Sequence, residues 1–199
     1  MKEGDTPATM KRLMDTLTSL IALIVLSPLY ITIMVLIKLD SQGPILYRGL
    51  RAGHRGKPFH ILKFRTMVAD AEKIGGPDTP ADDPRITKTG RLLRRFNLDE
   101  LPQFINVLKG EMSLVGPRPE RPQFIEKLSD DIPDYLHRLG LKPGLTGVAQ
   151  VINGYDNNLA SFRRKVALDL LYLQNCCFWN DAKIMLRTVG VVLTGKGAI

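Results

Sequence analysis

The chain has 199 residues, enough for one domain with a real core and tight for two. Lys and Arg total 28 against 20 Asp and Glu, a formal charge of +8 that points to polyanionic partners: nucleic acid, an anionic membrane face or phosphorylated substrates. The two cysteines, Cys176 and Cys177, are adjacent, which excludes a disulfide framework and a cysteine zinc site and fits a reducing, cytosol-facing compartment. His54, His60 and His137 are scattered without metal-ligand spacing, which disfavours a histidine metal centre.

In chain order the first feature is apolar. Residues 16–37, "TLTSLIALIVLSPLYITIMVLI", carry no charge and as one helix would reach about 33 Å, long enough to cross a bilayer. No small-residue cleavage site follows, so the segment does not read as a secretory signal. Pro28 removes a backbone hydrogen bond near the middle, and the Ser27 hydroxyl is placed to satisfy the freed carbonyl. Lys11 and Arg12 precede the segment while Lys38, Arg48, Arg51 and Arg55 follow it, whereas a crossing helix concentrates basic residues on one side. A helix-break-helix that enters and leaves one leaflet accounts for both features; a Pro-kinked span and a buried core helix stay open.

Two β-leaning runs near 45–50 and 58–65 flank a Gly-rich basic centre and predict a hairpin. "VADAEKIGG" predicts a short helix that stops at paired glycines, and residues 76–84, "GPDTPADDP", a loop. From Thr89 the spacing is helical, with Leu92, Leu93 and Phe96 on one side and Arg91, Arg94 and Arg95 on the other; Pro102 divides this stretch into two helices. "GPRPERP" at 116–122 reads as rigid chain and "KPGLTG" at 142–147 as a turn. Helices are predicted from about Leu159 to Asn175 and from about Asp181 to Leu193, the last grouping Ile184, Met185, Thr188, Val189 and Val192 as a core-facing side, with a membrane surface as the other reading. The fold class is therefore α+β and mainly helical, with residues 1–40 as a membrane-inserted segment with its basic flank and 41–199 as a cytosolic domain.

"RRFNLDELPQF", residues 94–104, sets Asp99 and Glu100 directly behind two arginines. An i, i+4 pair of Asp99 with Arg95 would contribute only about 0.3–0.5 kcal/mol. With Asn97 as an N-cap, Glu100 would fall at the third helical position in a capping box and Asp99 beside unpaired N–H groups, leaving both acids ionised. Such a carboxylate is a poor proton donor but a competent nucleophile or metal ligand, and the same helix end can bind phosphate. Phosphoryl transfer needs cations, and Arg91, Arg94, Arg95 and Arg118 are available, together with a divalent ion held by a carboxylate. In "GPRP" two prolines stiffen the chain that presents Arg118. No Walker-type loop is present, which disfavours ordinary kinase or ATPase chemistry.

Together, "KFRTM" (63–67), "DDPRITKTGRLLRR" (82–95), "NLDELPQFINVLKGEMSLVGPRP" (97–119) and "KPGLTG" (142–147) closely resemble the bacterial sugar transferase family, the monotopic phosphoglycosyl transferases, from about Lys11 to Arg187. The resemblance implies transfer of a phospho-sugar from a UDP-sugar to polyprenyl (undecaprenyl) phosphate, with release of UMP and a requirement for Mg²⁺. It implies Asp99 as nucleophile and metal ligand and Glu100 as base or positioning group. Arg91 and Arg118 match family arginines that hold phosphates, and Arg95 is taken with them. It also supports a re-entrant break at Ser27 and Pro28, anionic lipids but not nucleic acid as further partners, and the cytosolic face of a bacterial inner membrane. Oligomeric state stays open, a homodimer included. Tyr155 and Asp156 stand where relatives often carry Arg, so the sugar is open too. Two other classes compete: a membrane-tethered basic adaptor without catalysis, and a metal-dependent phosphohydrolase.

Overall fold

The computed structural model describes residues 8–76, 80, 83–132, 134–152 and 159–194; Tyr155 and Asp156 lie outside them. The apolar segment forms α1 (Ala8–Val25) and α2 (Ser27–Asp40), bent by 62° at their junction. Neither helix alone is long and apolar enough to cross a membrane, whereas the bent pair together reaches that length and apolar composition. The break follows from covalent structure. Pro28 has no N–H to give to the Ile24 carbonyl one turn back, and Ser27 Oγ donates to that carbonyl instead, at 2.8 Å.

Strands β1 (Leu46–Ala52) and β2 (Pro58–Phe64) form the expected antiparallel hairpin, pairing Leu46 with Phe64 and Ala52 with Pro58. The connection turns through Arg55 and Gly56, both at positive φ. Helix α3 (Ala71–Gly75) ends at Gly76, whose φ of 73° lets the chain turn away. Helix α4 (Lys88–Arg95) is capped by Thr87, whose hydroxyl accepts from the Gly90 N–H at 2.9 Å. The sidedness expected of α4 holds only in part: Leu93 is buried but Leu92 is half exposed, and Arg94 turns inward, its Nε donating to Thr66 Oγ1 at 3.0 Å. The cause is close contact with residues 65–67, which makes the inner face polar.

Helix α5 (Gln103–Lys109) follows Pro102, and β3 (Ser113–Val115) leads into the GPRP stretch. Residues 142–147 are not merely a turn. Gly144–Thr146 forms β4, parallel to β3, a pairing of two three-residue strands too short to show a period of two. Helix α6 (Pro122–Asp131) was not expected, and α7 (Val148–Ile152) is short; α8 (Leu159–Gln174) and α9 (Phe178–Thr194) lie where helices were predicted. On α9 Ile184 is buried and Met185 and Thr188 half-buried, but Val189 is exposed, so the expected core face is narrower than drawn.

Three apolar clusters hold the fold. Val107, Met112, Val115, Tyr172 and Ile184 join α5, β3, α8 and α9; Ile125, Leu128, Tyr135 and Val166 join α6 to α8; Ile33, Ile37, Phe64 and Leu93 join α2 to β2 and α4. The start of α1 belongs to the first. Arg12 donates to the Val107 and Leu108 carbonyls at 2.5 and 2.7 Å, Asp15 accepts from Leu114 N at 3.1 Å, and Lys11 bonds the buried Asp181.

Candidate active site

The two acids stand on a tight 3-10 turn, Leu98–Glu100, and not at the first turn of a helix. Asn97 takes a left-handed conformation (φ 53°, ψ 23°) and its side chain caps nothing; its carbonyl instead accepts from Glu100 N at 3.2 Å. The expected capping box is therefore absent, because the chain must reverse at Asn97 before α5 begins at Gln103. Charge on the acids is set by side chains, not by a helix end.

Three elements converge there. Asn106 on α5 accepts from Leu62 N at 2.9 Å and donates to the His60 carbonyl at 2.8 Å, fastening α5 along β2. That register brings Lys63 Nζ to 2.7 Å from Glu100 Oε1 and 3.8 Å from Asp99 Oδ2. Arg118, from the GPRP stretch, places Nη2 2.9 Å from the same Glu100 oxygen. Its backbone is held on both sides: Gly144 N donates to the Pro117 carbonyl at 2.8 Å, and the buried Arg138 donates to the Arg118 carbonyl at 3.1 Å. From the apolar pair, Tyr30 on α2 donates to the Leu101 carbonyl at 2.6 Å, tying the bent segment to the loop that carries the acids.

The two carboxyls differ. Burial pushes Asp99 above the usual carboxylate range, Lys63 pulling it back in part and the Glu100 charge adding to the rise. Burial acts on Glu100 too, but Arg118 and Lys63 outweigh it and hold that carboxyl far below its ordinary value. Glu100 is thus a fixed anion that orders two cations. Asp99 takes no hydrogen bond from a described side chain and keeps its oxygens for another partner.

Arg91 and Arg95 are exposed on α4, and among the described residues no hydrogen bond or ion pair joins them to the acids; Arg95 lies over the Phe96 ring at 5.6 Å. The place of Lys63 in the site is not legible in the sequence, since nothing in "KFRTM" shows that a strand will lay it beside residues 99 and 100. Among the described residues no group of three or more His, Cys, Asp and Glu could hold a metal. The donor set is one carboxylate, Asp99, whose cation Lys63 stands 3.8 Å away, because Glu100 is already engaged at shorter range. That fits Mg²⁺, which binds through one or two carboxylates plus substrate phosphates and not through an all-protein cage.

Beside Glu100 and Arg118 opens a cavity of about 270 Å³ that runs past Glu120 and Lys165 to Gln150, Thr146 and Thr188. Glu120 accepts from Lys165 Nζ at 2.6 Å, and Arg138 pairs with Asp169 at 2.7 Å. Glu100, Arg118, Glu120 and Lys165 thus line one cavity with fixed charges of both signs, an arrangement whose cations suit anionic groups.

The family to which the chain belongs accords with that site. Residues 6–195 match the bacterial sugar transferase family, and the chain is a member of it. It is 42% identical over 191 residues to the UDP-N-acetylgalactosamine-undecaprenyl-phosphate N-acetylgalactosaminephosphotransferase of Aeromonas hydrophila, covering 96% of this chain and 45% of that protein. It is 42% identical to the UDP-glucose:undecaprenyl-phosphate glucose-1-phosphate transferase of Caulobacter vibrioides (94% and 71% covered) and 41% identical to the Escherichia coli protein of the same name (98% and 43%). The chain thus spans less than half the length of the Aeromonas and Escherichia proteins.

Proposed function

We propose that this chain is a phosphoglycosyl transferase that moves a phospho-sugar from a UDP-sugar to undecaprenyl phosphate, an early membrane step of bacterial glycoconjugate synthesis. The observation that carries this reading is the unequal acid pair: Asp99 without a hydrogen-bonded partner beside Glu100 locked between Lys63 and Arg118. The names of the relatives supply the substrate class.

In the first step an Asp99 oxygen bonds to the β-phosphorus of the donor, and the bond from that phosphorus to the oxygen bridging the α-phosphate breaks. UMP leaves with that oxygen and its electron pair. In the second step a phosphate oxygen of the lipid bonds to the same phosphorus, and the Asp99 carboxylate departs, leaving undecaprenyl-diphosphate-sugar. Lys63 and Arg118, ordered by Glu100, face the charge that develops on the phosphoryl oxygens. Glu100 positions those cations; with its carboxyl held so low it is a poor base. Asp99 is the residue that would hold Mg²⁺, and the ion would supply neutralisation of part of the substrate's charge.

The bent helix pair is read as a re-entrant anchor. Support comes from its two ends: the start of α1 is bonded to α5 and β3, and Asp40 at the end of α2 accepts from Thr89 N at 2.8 Å, so both ends are tied to one folded unit. One body cannot stand on two sides of a bilayer. The exposed Arg91 and Arg95 are then available to substrate phosphates or anionic headgroups, on the cytosolic face of the inner membrane. The test is UMP release from UDP-sugars by purified protein with Mg²⁺. Release that requires undecaprenyl phosphate for multiple turnovers supports a transferase; sustained release without lipid would mean a hydrolase, and no release with any donor a binding protein.

A further inference from the structure

The cavity beside the acids does more than admit a phosphate. We infer that it seats the hexose of the donor and that Gln150, with the Glu120–Lys165 pair, determines which sugar is accepted; this rests on the transferase reading above.

Position and size argue for the sugar. The cavity opens at Glu100 and Arg118, and the hexose is joined directly to the phosphorus that Asp99 would attack, whereas the uracil lies beyond a second phosphate and a ribose. About 270 Å³ holds one pyranose ring with a few waters and lies just below the usual range of ligand sites, so the rest of a nucleotide sugar would extend outside it.

The lining carries sugar-reading chemistry. Gln150 Oε1 is closed off from solvent and has no hydrogen-bond partner among the described residues, while its amide nitrogen reaches only the Leu145 carbonyl, at 3.5 Å. A buried acceptor left unmade is costly, and nothing in the fold explains it. Gln150 lines the cavity, and a sugar hydroxyl or acetamido N–H seated there would supply the partner that this oxygen lacks. Glu120 takes its hydrogen bond from the buried Lys165 on Oε1, and Lys165 also lies over the Phe162 ring at 5.5 Å. A carboxylate, an ammonium and an amide suit the hydroxyls of a pyranose, with the Phe162, Val191 and Val192 side chains as the apolar wall. Relatives about equally similar to this chain are named for glucose and for N-acetylgalactosamine, so the residues that read the sugar must lie in a shared fold.

The test compares wild type with Gln150→Ala and Val192→Phe, the latter filling the apolar wall of the cavity on α9. Rates are measured with UDP-glucose, UDP-galactose, UDP-N-acetylglucosamine and UDP-N-acetylgalactosamine, and inhibition by UMP is measured in parallel. Gln150→Ala is expected to change the ratio of kcat/KM between preferred and next-best sugar by about tenfold, the cost of one unmade hydrogen bond. Val192→Phe is expected to penalise the acetamido sugars most. UMP, which has no hexose, should inhibit both variants within twofold of wild type. Unchanged ratios in both variants, with turnover retained, overturn the assignment. Weaker UMP inhibition with no change in sugar preference would put the nucleotide in the cavity and also overturn it. Absence of turnover by wild type with every donor overturns the transferase reading and this inference together.

Discussion

At Asp99 burial outweighs the neighbouring cation, whereas at Glu100 two short ion pairs outweigh burial. Lys63 touches both acids, so Lys63→Met should leave Glu100 held by Arg118 alone and cost about a hundredfold in kcat/KM, the effect of one lost electrostatic contact. Initial rates of UMP release, with thermal melts to confirm folding, check this; a loss under threefold would remove Lys63 from the mechanism. Glu120 offers a pH test. Burial acts to raise its carboxyl, but Lys165 and Arg138 hold it below its ordinary value. Its stabilisation is therefore fully present above the unfolded value near pH 4.3 and is lost as pH falls from there toward the folded value. Glu120→Gln should melt below wild type at pH 6.5, and the gap between the two melting temperatures should narrow steadily as pH falls below about 4.3. Parallel curves would show that the pair contributes no pH-dependent stability.

Among the elements, the hairpin and the helices α4, α5, α8 and α9 were legible because hydrophobic spacing and Gly or Pro boundaries are local signals. The parallel pair β3 and β4 was not: each strand is three residues long, and their register joins Ser113 to Gly144 across the whole of α6. The same limit explains the site. Asp99, Glu100 and Arg118 stood out as an acid pair and a stiff arginine, but Lys63 reaches them only through the Asn106 bonds between α5 and β2. The capping box failed because Asn97 adopts a left-handed conformation that its spacing to Glu100 does not reveal. Contact between α4 and residues 65–67 is tight enough to test: a Cβ at Gly90 would stand 2.0 Å from the Thr66 carbonyl oxygen, and both are backbone-fixed. Gly90→Ala should cost about 2 kcal/mol or more, read as a fall in melting temperature; a neutral effect would mean that α4 slides freely.

For the whole molecule the apolar pair matters most. Its ends are tied to one folded unit by Arg12, Asp15 and Asp40, and its middle to the acid loop by Tyr30. The apolar pair and the loop that carries the acids are thus mechanically joined, so that the proposed insertion of the pair into a membrane would hold the acids close to its surface. Single cysteines at Ala8 and at Gln42, in a chain with Cys176 and Cys177 replaced by Ser, should both be labelled from the cytosolic side of oriented membrane vesicles. Labelling from opposite sides would contradict a re-entrant anchor. Pro28→Ala restores the missing N–H and should move a fraction of molecules toward a straight span, seen as mixed labelling at Ala8.

The central claim is that Asp99 carries the phospho-sugar covalently, and intact mass spectrometry tests it most directly. Protein incubated with its UDP-sugar and Mg²⁺, without lipid, should gain the mass of one sugar phosphate on a peptide containing Asp99, lose it when undecaprenyl phosphate is added, and show no gain as Asp99→Asn. Turnover without any adduct, or an adduct that persists in Asp99→Asn, would contradict the account.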